Sequence, residues 1–444
     1  MAKWNWLKGL RCVAGVGATL MASSMAMAGD VSPITDVANP DHVFSQTSYN
    51  LAGEVCGAAC GDAGCGNTGC RTDGCTGCND GCDMFGLRCD QEKINIFDGV
   101  EVGGWAQFGY TSEITHFNAA GQDEDFQLNQ GWIYLEKAAE SECGEWALGY
   151  RADFVYGVDA PNTQSFGNSL RANGTGSFDI DNGFTRGAGF GWAIPQLYVE
   201  ATNGDTTVKA GHFYTLHGYE VVTAPDNFFF THAYSMNNSE PFTHTGVVVT
   251  QKVSDDMEVY AGWTAGWDTG FARQNDGSNF LGGFSTALSD DISFTYILSW
   301  GELGAREDGY GHSVVLDWQI NDRLNYVFHH DLLRTDRGPT TAVPVGVNDV
   351  VAINQYLIYQ LTDCVGVGGR AEWWKNDGTS VYALTGGLNI KPHSQVTIRP
   401  EVKYDWSPGG QVAADGRNGF NTAGGTVLNG SEETTFSVDV IFTF

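Results

Sequence analysis

Thr435-Phe436-Ser437-Val438-Asp439-Val440-Ile441-Phe442-Thr443-Phe444 alternates polar and apolar side chains over ten residues, with a single fault at Ile441. A period of two is the signature of a β-strand with one apolar face. At an open sheet edge such a strand would invite pairing with other chains. In a closed barrel the last strand pairs with the first and no edge remains.

The same unit recurs through the chain. Alternating runs fall at 99–109, 128–138, 146–156, 193–201, 206–216, 243–252, 257–267, 279–288, 292–301, 310–320, 324–334, 351–361, 365–376, 381–390, 395–405 and 433–444. Tight turns join them at Thr202–Asp205, Ser254–Asp256, Ser289–Asp291, Asn321–Arg323 and Thr362–Cys364, each with turn-forming residues. Longer connections, 157–192, 217–242, 335–350 and 406–432, lie between. Short turns on one side and long loops on the other are the asymmetry of an outer-membrane barrel, and an even strand count returns both ends to the periplasm. A soluble propeller or stacked sandwich also has many short strands. It needs neither an apolar outward face on every strand nor alternating loop lengths. The predicted fold is all-β: a transmembrane antiparallel up-and-down barrel of about sixteen strands, with short periplasmic turns and long extracellular loops.

The chain's beginning fits an exported protein. Lys3, Lys8 and Arg11 precede an apolar stretch, Cys12 to Ala22, that is too short to span a membrane. Ala26-Met27-Ala28 has the small-x-small pattern accepted by signal peptidase. The expected division is a signal peptide at 1–28, a polar linker at 29–50, a Cys/Gly-rich periplasmic extension at 51–98 and the barrel at 99–444. Removing the signal would take the formal charge from −30 to −33. Such acidity speaks against nucleic acid as a partner, because phosphates need Lys and Arg. It fits a cation-attracting vestibule, or acidic loops that simply stay soluble. A terminal aromatic on an alternating strand resembles the signature read by the barrel-assembly machinery. Phe444 is therefore the expected assembly signal, with that machinery and the outer-membrane lipids as expected partners.

Strand parity assigns the faces. Val396, Ile398, Val402 and Tyr404 share one side of their strand; Thr397, Arg399, Glu401, Lys403 and Asp405 share the other. A lipid-facing Arg or Lys near the bilayer midplane costs roughly 2–4 kcal/mol, so the charged side must look into water. The same division sets Arg151 and Asp153 opposite Leu148, Tyr150 and Phe154, and Asp317 opposite Leu316 and Trp318. It sets His329 and Asp331 opposite Phe328 and Leu332, and Arg370 and Glu372 opposite Ala371 and Trp373. Glu101 and Lys209 complete the expected pore lining. Sixteen strands enclose an interior too wide for wall side chains to plug, which favours an aqueous channel. Trp105, Tyr110, Trp132, Trp146, Tyr156, Trp263, Trp267, Trp300, Trp373 and Trp406 lie where strands meet loops. They are expected to form aromatic girdles, with a stacking surface for sugars as the competing reading.

Residues 211–246 read GHFYTLHGYEVVTAPDNFFFTHAYSMNNSEPFTHTG. Together with LNQGWIYLEK at 128–137 and IPQLYVE at 194–200, this stretch resembles the β-barrel porin family of the porin-2 type found in planctomycete-type bacteria. The resemblance covers about 99–444, is strongest over 193–246 and excludes the cysteine-rich prefix. It implies a pore and names no solute. Loop 217–242 is too aromatic to lie in water, so Phe228-Phe229-Phe230, Tyr219 and Tyr234 should pack on the wall or on a neighbouring subunit. Two readings stand open. The loop folds inward and brings Asp226, His232 or Glu240 to a constriction, or it packs externally between subunits.

Cys56, Cys60, Cys65, Cys70, Cys75, Cys78, Cys82 and Cys89 crowd a Gly-rich stretch with almost no apolar core. An even number in an exported chain argues for disulfides. Cys75-x-x-Cys78 also has metal-site spacing, and cross-linking between chains is a third outcome. Cys143 and Cys364, both in predicted periplasmic turns, stay unassigned. No G-x-S-x-G elbow or H-E-x-x-H motif occurs. Gly366-Val367-Gly368-Gly369-Arg370-Ala371 matches a dinucleotide fingerprint by letter, but it sits inside an alternating strand. His329-His330 and His212/His217 could bind a metal, although satisfied pore-wall histidines are the simpler reading. No catalysis, cofactor or metal is expected. The expectation is an outer-membrane porin passing small hydrophilic solutes or ions, cation-preferring, with a homotrimer as an open assembly. The alternative is a structural envelope protein anchored by the barrel and cross-linked through its cysteines.

Overall fold

A computed structural model describes residues 94–97, 99–113, 126–141, 145–170, 176–178, 190–273, 276–336, 349–376, 379–407 and 431–444. The expected signal peptide, the linker and the cysteines at 56–89 lie outside the described residues, as does Cys143. Cys364 is disulfide-bonded.

Sixteen strands form the barrel. They are β1 (Val100–Thr111), β2 (Phe126–Lys137), β3 (Ala147–Gly157), β4 (Leu197–Asn203), β5 (Thr206–Tyr214), β6 (Thr243–Ser254), β7 (Met257–Trp267) and β8 (Ser278–Ser289). They continue as β9 (Ile292–Glu302), β10 (Asp308–Asn321), β11 (Leu324–Thr335), β12 (Asp349–Thr362), β13 (Val365–Asn376), β14 (Thr379–His393), β15 (Val396–Ser407) and β16 (Ser431–Thr443). Every neighbouring pair is antiparallel, and β16 closes on β1 with Trp105 opposite Thr443 and Tyr110 opposite Val438. Phe444 completes the seam, exchanging both backbone hydrogen bonds with Gly104. A short strand, Ile94–Phe97, pairs with the start of β1, and Gly191–Ala193 pairs with the end of β3. Each of the sixteen runs read from the sequence corresponds to one barrel strand. Two-residue turns, such as Gly204-Asp205, Asp255-Asp256 and Ser394-Gln395, join alternate pairs.

Parity holds along the wall. Leu148, Tyr150, Phe154 and Tyr156 of β3 are exposed on the outside, whereas Asp153 and Val155 are buried within. The aromatic expectation needs correction. Trp146, Trp263 and Trp300 are exposed on the outer surface, but Trp105, Trp132 and Trp267 are buried on the inner face. Trp105 and Trp132 share the parity of the polar residues around them, so strand geometry turns them inward whatever their affinity for headgroups. Trp267 has the outer parity of Trp263 and is turned inward by a bulge at Gly266, whose φ is +111°. Trp105 and Trp132, directly opposite across β1 and β2, stack at 4.7 Å. The Trp132 indole N–H donates to Asp153 Oδ2 at 2.9 Å.

The connection from Tyr214 to Thr243 does not leave the barrel. Its base is closed by the Thr215 N–H donating to the Phe242 carbonyl at 3.0 Å. From there it crosses the lumen as irregular backbone with one 3₁₀ turn, Ala224–Asp226, and one short helix, Tyr234–Asn238.

The seam yields a test. A Cβ at Gly104 would run into the Trp132 carbonyl oxygen and come within 2.8 Å of the Phe444 ring. Gly104→Ala is expected to lower the fraction of refolded barrel several-fold, read from the heat-dependent gel migration of folded against boiled protein. Equal folded fractions would mean that the seam tolerates the shift.

Candidate functional site

A loop running through a protein interior carries peptide groups that water cannot reach, and each needs a partner. Here the inner wall supplies them. Glu401 of β15 accepts from the N–H groups of Phe230 and Thr231 at 2.8 and 3.2 Å. Glu372 of β13 accepts from the Tyr234 N–H at 2.9 Å. Arg399 donates to the carbonyls of Ala224 and Asn227 at 2.8 and 2.6 Å, and Arg370 to that of Thr231 at 2.6 Å. Three strands on from β15, across the seam, the Gln130 amide of β2 donates to the Val222 carbonyl and accepts from the Ala224 N–H. Ser313 of β10 accepts from the Gly218 N–H, and Trp374 of β13 donates to Ser239.

The two arginines are themselves held by acids. Arg399 grips Asp439, its direct cross-strand neighbour on β16, through two bonds of 3.0 and 2.5 Å. Arg370 bonds Glu372 and the loop residue Glu220, both at 2.7 Å. Tyr356 of β12 also donates to Glu220, and the Ala233 N–H reaches its other oxygen. His232 lies 3.4 Å from the same carboxylate. Glu220 sits on the loop, outside the strands that cross the bilayer. Burial alone would raise its pKa, but the Arg370 guanidinium, helped by His232, holds it far below the usual carboxylate range.

Apolar contacts seat the loop between these anchors. Phe228 and Phe229 pack with Val327, Tyr356 and Ile358 of the wall. Val222, Ala224 and Met236 join Trp105, Trp132 and Ile441. The one fault in the alternation of the last strand is therefore a wall residue under the loop. Gly368 of β13 leaves the space filled by the Phe228 ring, and Gly109 of β1 that filled by Phe230. Within the dinucleotide-like string, Gly368 thus has a packing role.

The other residues singled out from the sequence also fall on the inner side. Arg151 bonds Glu136 and Asp153, at 3.1 and 2.8 Å, and both pairs are only partly screened from solvent. Lys209 lies 4.2 Å from the Tyr198 ring centroid. Asp317 accepts from Asn325, and Lys403 contacts Asp405 and the Tyr234 ring. Glu101 is half-buried near the start of β1 and stands apart from the loop anchors. Asp226 is half-buried in the 3₁₀ turn, whereas His232 and Glu240 are buried. Glu240 meets His329 and Asp331 of β11, with 3.3 Å from its Oε1 to His329 Nε2 and 3.0 Å from there to Asp331 Oδ1. Burial, and next the facing Asp331, push the Glu240 carboxyl well above its ordinary pKa.

Glu220, Gln130, Tyr356, Asp439 and Asn354, whose amide donates to Ser235 Oγ of the loop at 2.6 Å, were missed as anchors. Asp439 alone carried a usable signal, as an acid on the polar face beside the strand bearing Arg399. The rest gain their roles only once the loop enters. Chemically, the arrangement narrows the lumen with a charged, fixed partition.

Two substitutions probe that partition. Arg370→Met strips the counter-charge from two buried carboxylates and is expected to cost about 3–5 kcal/mol in guanidinium unfolding of the detergent-folded protein. Adding Glu220→Gln should recover part of the loss. Gly368→Ala pushes a methyl into the Phe228 ring and should cost about 1–3 kcal/mol.

Known proteins bear on the family. The family described as "Putative beta-barrel porin-2, OmpL-like" matches residues 99–444. A comparison with curated proteins returned no match. Among solved structures, the chain is similar to an anion-selective porin from Comamonas acidovorans, at 11% identity and a TM-score of 0.49, covering 78% of this chain and 99% of that one. The in-vitro folded OmpT of Vibrio cholerae in its trimer form gives 11%, 0.48, 78% and 99%. The outer-membrane channel DcaP of Acinetobacter baumannii gives 11%, 0.48, 78% and 98%. With the family match spanning the whole barrel, the chain belongs to the porin-2, OmpL-like β-barrel family and is an outer-membrane channel protein.

Proposed function

We propose that this protein is a passive diffusion channel for small hydrophilic solutes or ions, with loop 215–242 setting the width of the path. The observation that carries this reading is the loop itself, bonded to the wall on several sides inside a closed sixteen-stranded barrel. A partition so anchored has no swinging part, which suits a standing aperture better than a carrier that alternates its access. The partly exposed Arg151, Glu136 and Glu101 mark wall left uncovered by the loop, where water and ions would run.

Cation preference is the second part of the proposal. The inner wall carries Glu101, Asp153, Glu200, Glu258, Asp317, Asp331, Glu372, Glu401 and Asp439 against Arg151, Lys209, Arg370, Lys391, Arg399 and Lys403. A carboxylate excess inside low-dielectric walls raises the local concentration of cations. Self-association, as a homotrimer, is the third part. Tyr296, Tyr310, His312 and His330 form a polar chain on the outer face, with 2.8 Å between the two phenols and 2.9 Å from Tyr310 to His312. Polar groups facing lipid are costly and are better covered by a neighbouring subunit.

Single-channel recording in planar bilayers under a salt gradient tests the reading. Stepwise, ohmic openings with a reversal potential of cationic sign are expected. Deleting 222–238 should raise the conductance several-fold. A folded barrel that never conducts would overturn the channel proposal, and unchanged conductance on deletion would remove the loop as the constriction.

A further inference from the structure

Glu240, His329 and Asp331 stand out among the buried groups as two carboxylates and one imidazole gathered at a single point where the loop meets the wall. Glu240 comes from the last turn of the loop, and the two others from β11, where strand parity puts both on the inner face. One ligand atom from each lies within 4.8 Å of the others. The closest pairs, 3.0 and 3.3 Å, match the roughly 3–3.5 Å that separates ligands sharing one ion at about 2.1 Å. Ser313 Oγ lies 3.2 Å from the same imidazole nitrogen.

Two further observations point to a ligand. Glu240 Oε1 and Asp331 Oδ2 are buried and accept no hydrogen bond among the described residues. A buried carboxylate pair of this kind needs a positive charge or a proton between its members. On the far side of the imidazole, Nδ1 is 3.3 Å from the Asn354 amide, whose own oxygen has no partner. The amide nitrogen also lies 2.6 Å from Ser235 Oγ, whose hydroxyl can donate instead of accept. Turning the amide over then gives Nδ1–H an acceptor and leaves Nε2 free as a ligand, the usual outer support of a metal-bound histidine.

We infer that Glu240, His329 and Asp331 form a binding site for a divalent cation of the Mn²⁺, Fe²⁺ or Zn²⁺ class, which staples the end of the lumen loop to the barrel wall. One imidazole with two carboxylates suits these ions and disfavours Cu⁺, which prefers sulfur. The staple joins loop to strand, so metal binding stabilises the seated loop by the linkage between ligand and folded state. The site stands whether or not the barrel conducts.

The test uses the full chain, folded in detergent, stripped with EDTA and titrated with Mn²⁺ while the free-ion signal is followed by electron paramagnetic resonance. Mn²⁺ is the probe because the cysteine-rich segment, if reduced, prefers softer ions. Wild type should remove one equivalent of signal, and Glu240→Gln and His329→Gln should each weaken binding at least ten-fold. Heat-dependent gel migration checks that each variant folds, with Asp331→Asn replacing any that does not. A wild-type chain that leaves the free-ion signal untouched would overturn the proposal and leave the two carboxylates sharing a proton. Identical titrations for wild type and folded variants would overturn it by locating the metal elsewhere.

Discussion

A peptide segment buried inside a barrel must have its N–H and C=O groups answered by the wall, and much of this interior follows from that need. Loop 215–242 is irregular for most of its length, so few of its backbone groups satisfy one another. The wall meets the demand with charged side chains, which form hydrogen bonds roughly twice as strong as neutral ones. Glu401 serves two successive N–H groups, and Arg399 serves two carbonyls while remaining paired with Asp439.

Charges used in this way must balance locally. Arg370 lies between Glu372 of its own strand and Glu220 of the loop, so the loop completes the charge pattern of the wall. A buried ion pair is weak evidence for stability, since replacement by apolar residues is often neutral. Its contribution here is positional: this placement of the loop satisfies Arg370, Arg399, Glu372 and Glu401 together. The Phe228–Phe230 run then fills gaps left by wall glycines, and that packing gives the placement its rigidity.

For a channel, rigidity of the partition matters as much as its position. Under the proposed function, a lumen crossed by a fixed loop would keep the same aperture from one passage to the next. Charges engaged with the loop are withdrawn from passing ions, so Arg370 and Arg399 act mainly on structure. The partly exposed Arg151–Glu136 pair stays in contact with water. The outer face answers to lipid, and its apolar residues at Leu148, Leu197, Val199 and Phe442 follow that solvent alone.

Strand number, antiparallel order and the face assigned to each side chain were legible in the sequence, because a period of two is a local property and lipid outside enforces it. Arg399, Glu401 and Arg370 could be placed on the inner side from parity alone. Their partners could not. On the loop, Glu220, Asn227 and Phe230 lie more than a hundred residues away, and no local pattern announces that a loop will reach them. Trp105, Trp132 and Trp267 show the same boundary: composition suggested a headgroup girdle, whereas inner parity buries the first two and a bulge at Gly266 buries the third. Ile441 looked like an error in an otherwise regular strand until the loop lay against it. The sequence by itself determined a closed barrel with a polar interior. Only the tertiary structure decided that the interior is crossed and largely engaged by one loop, because that outcome depends on groups from many strands meeting the same few peptide bonds.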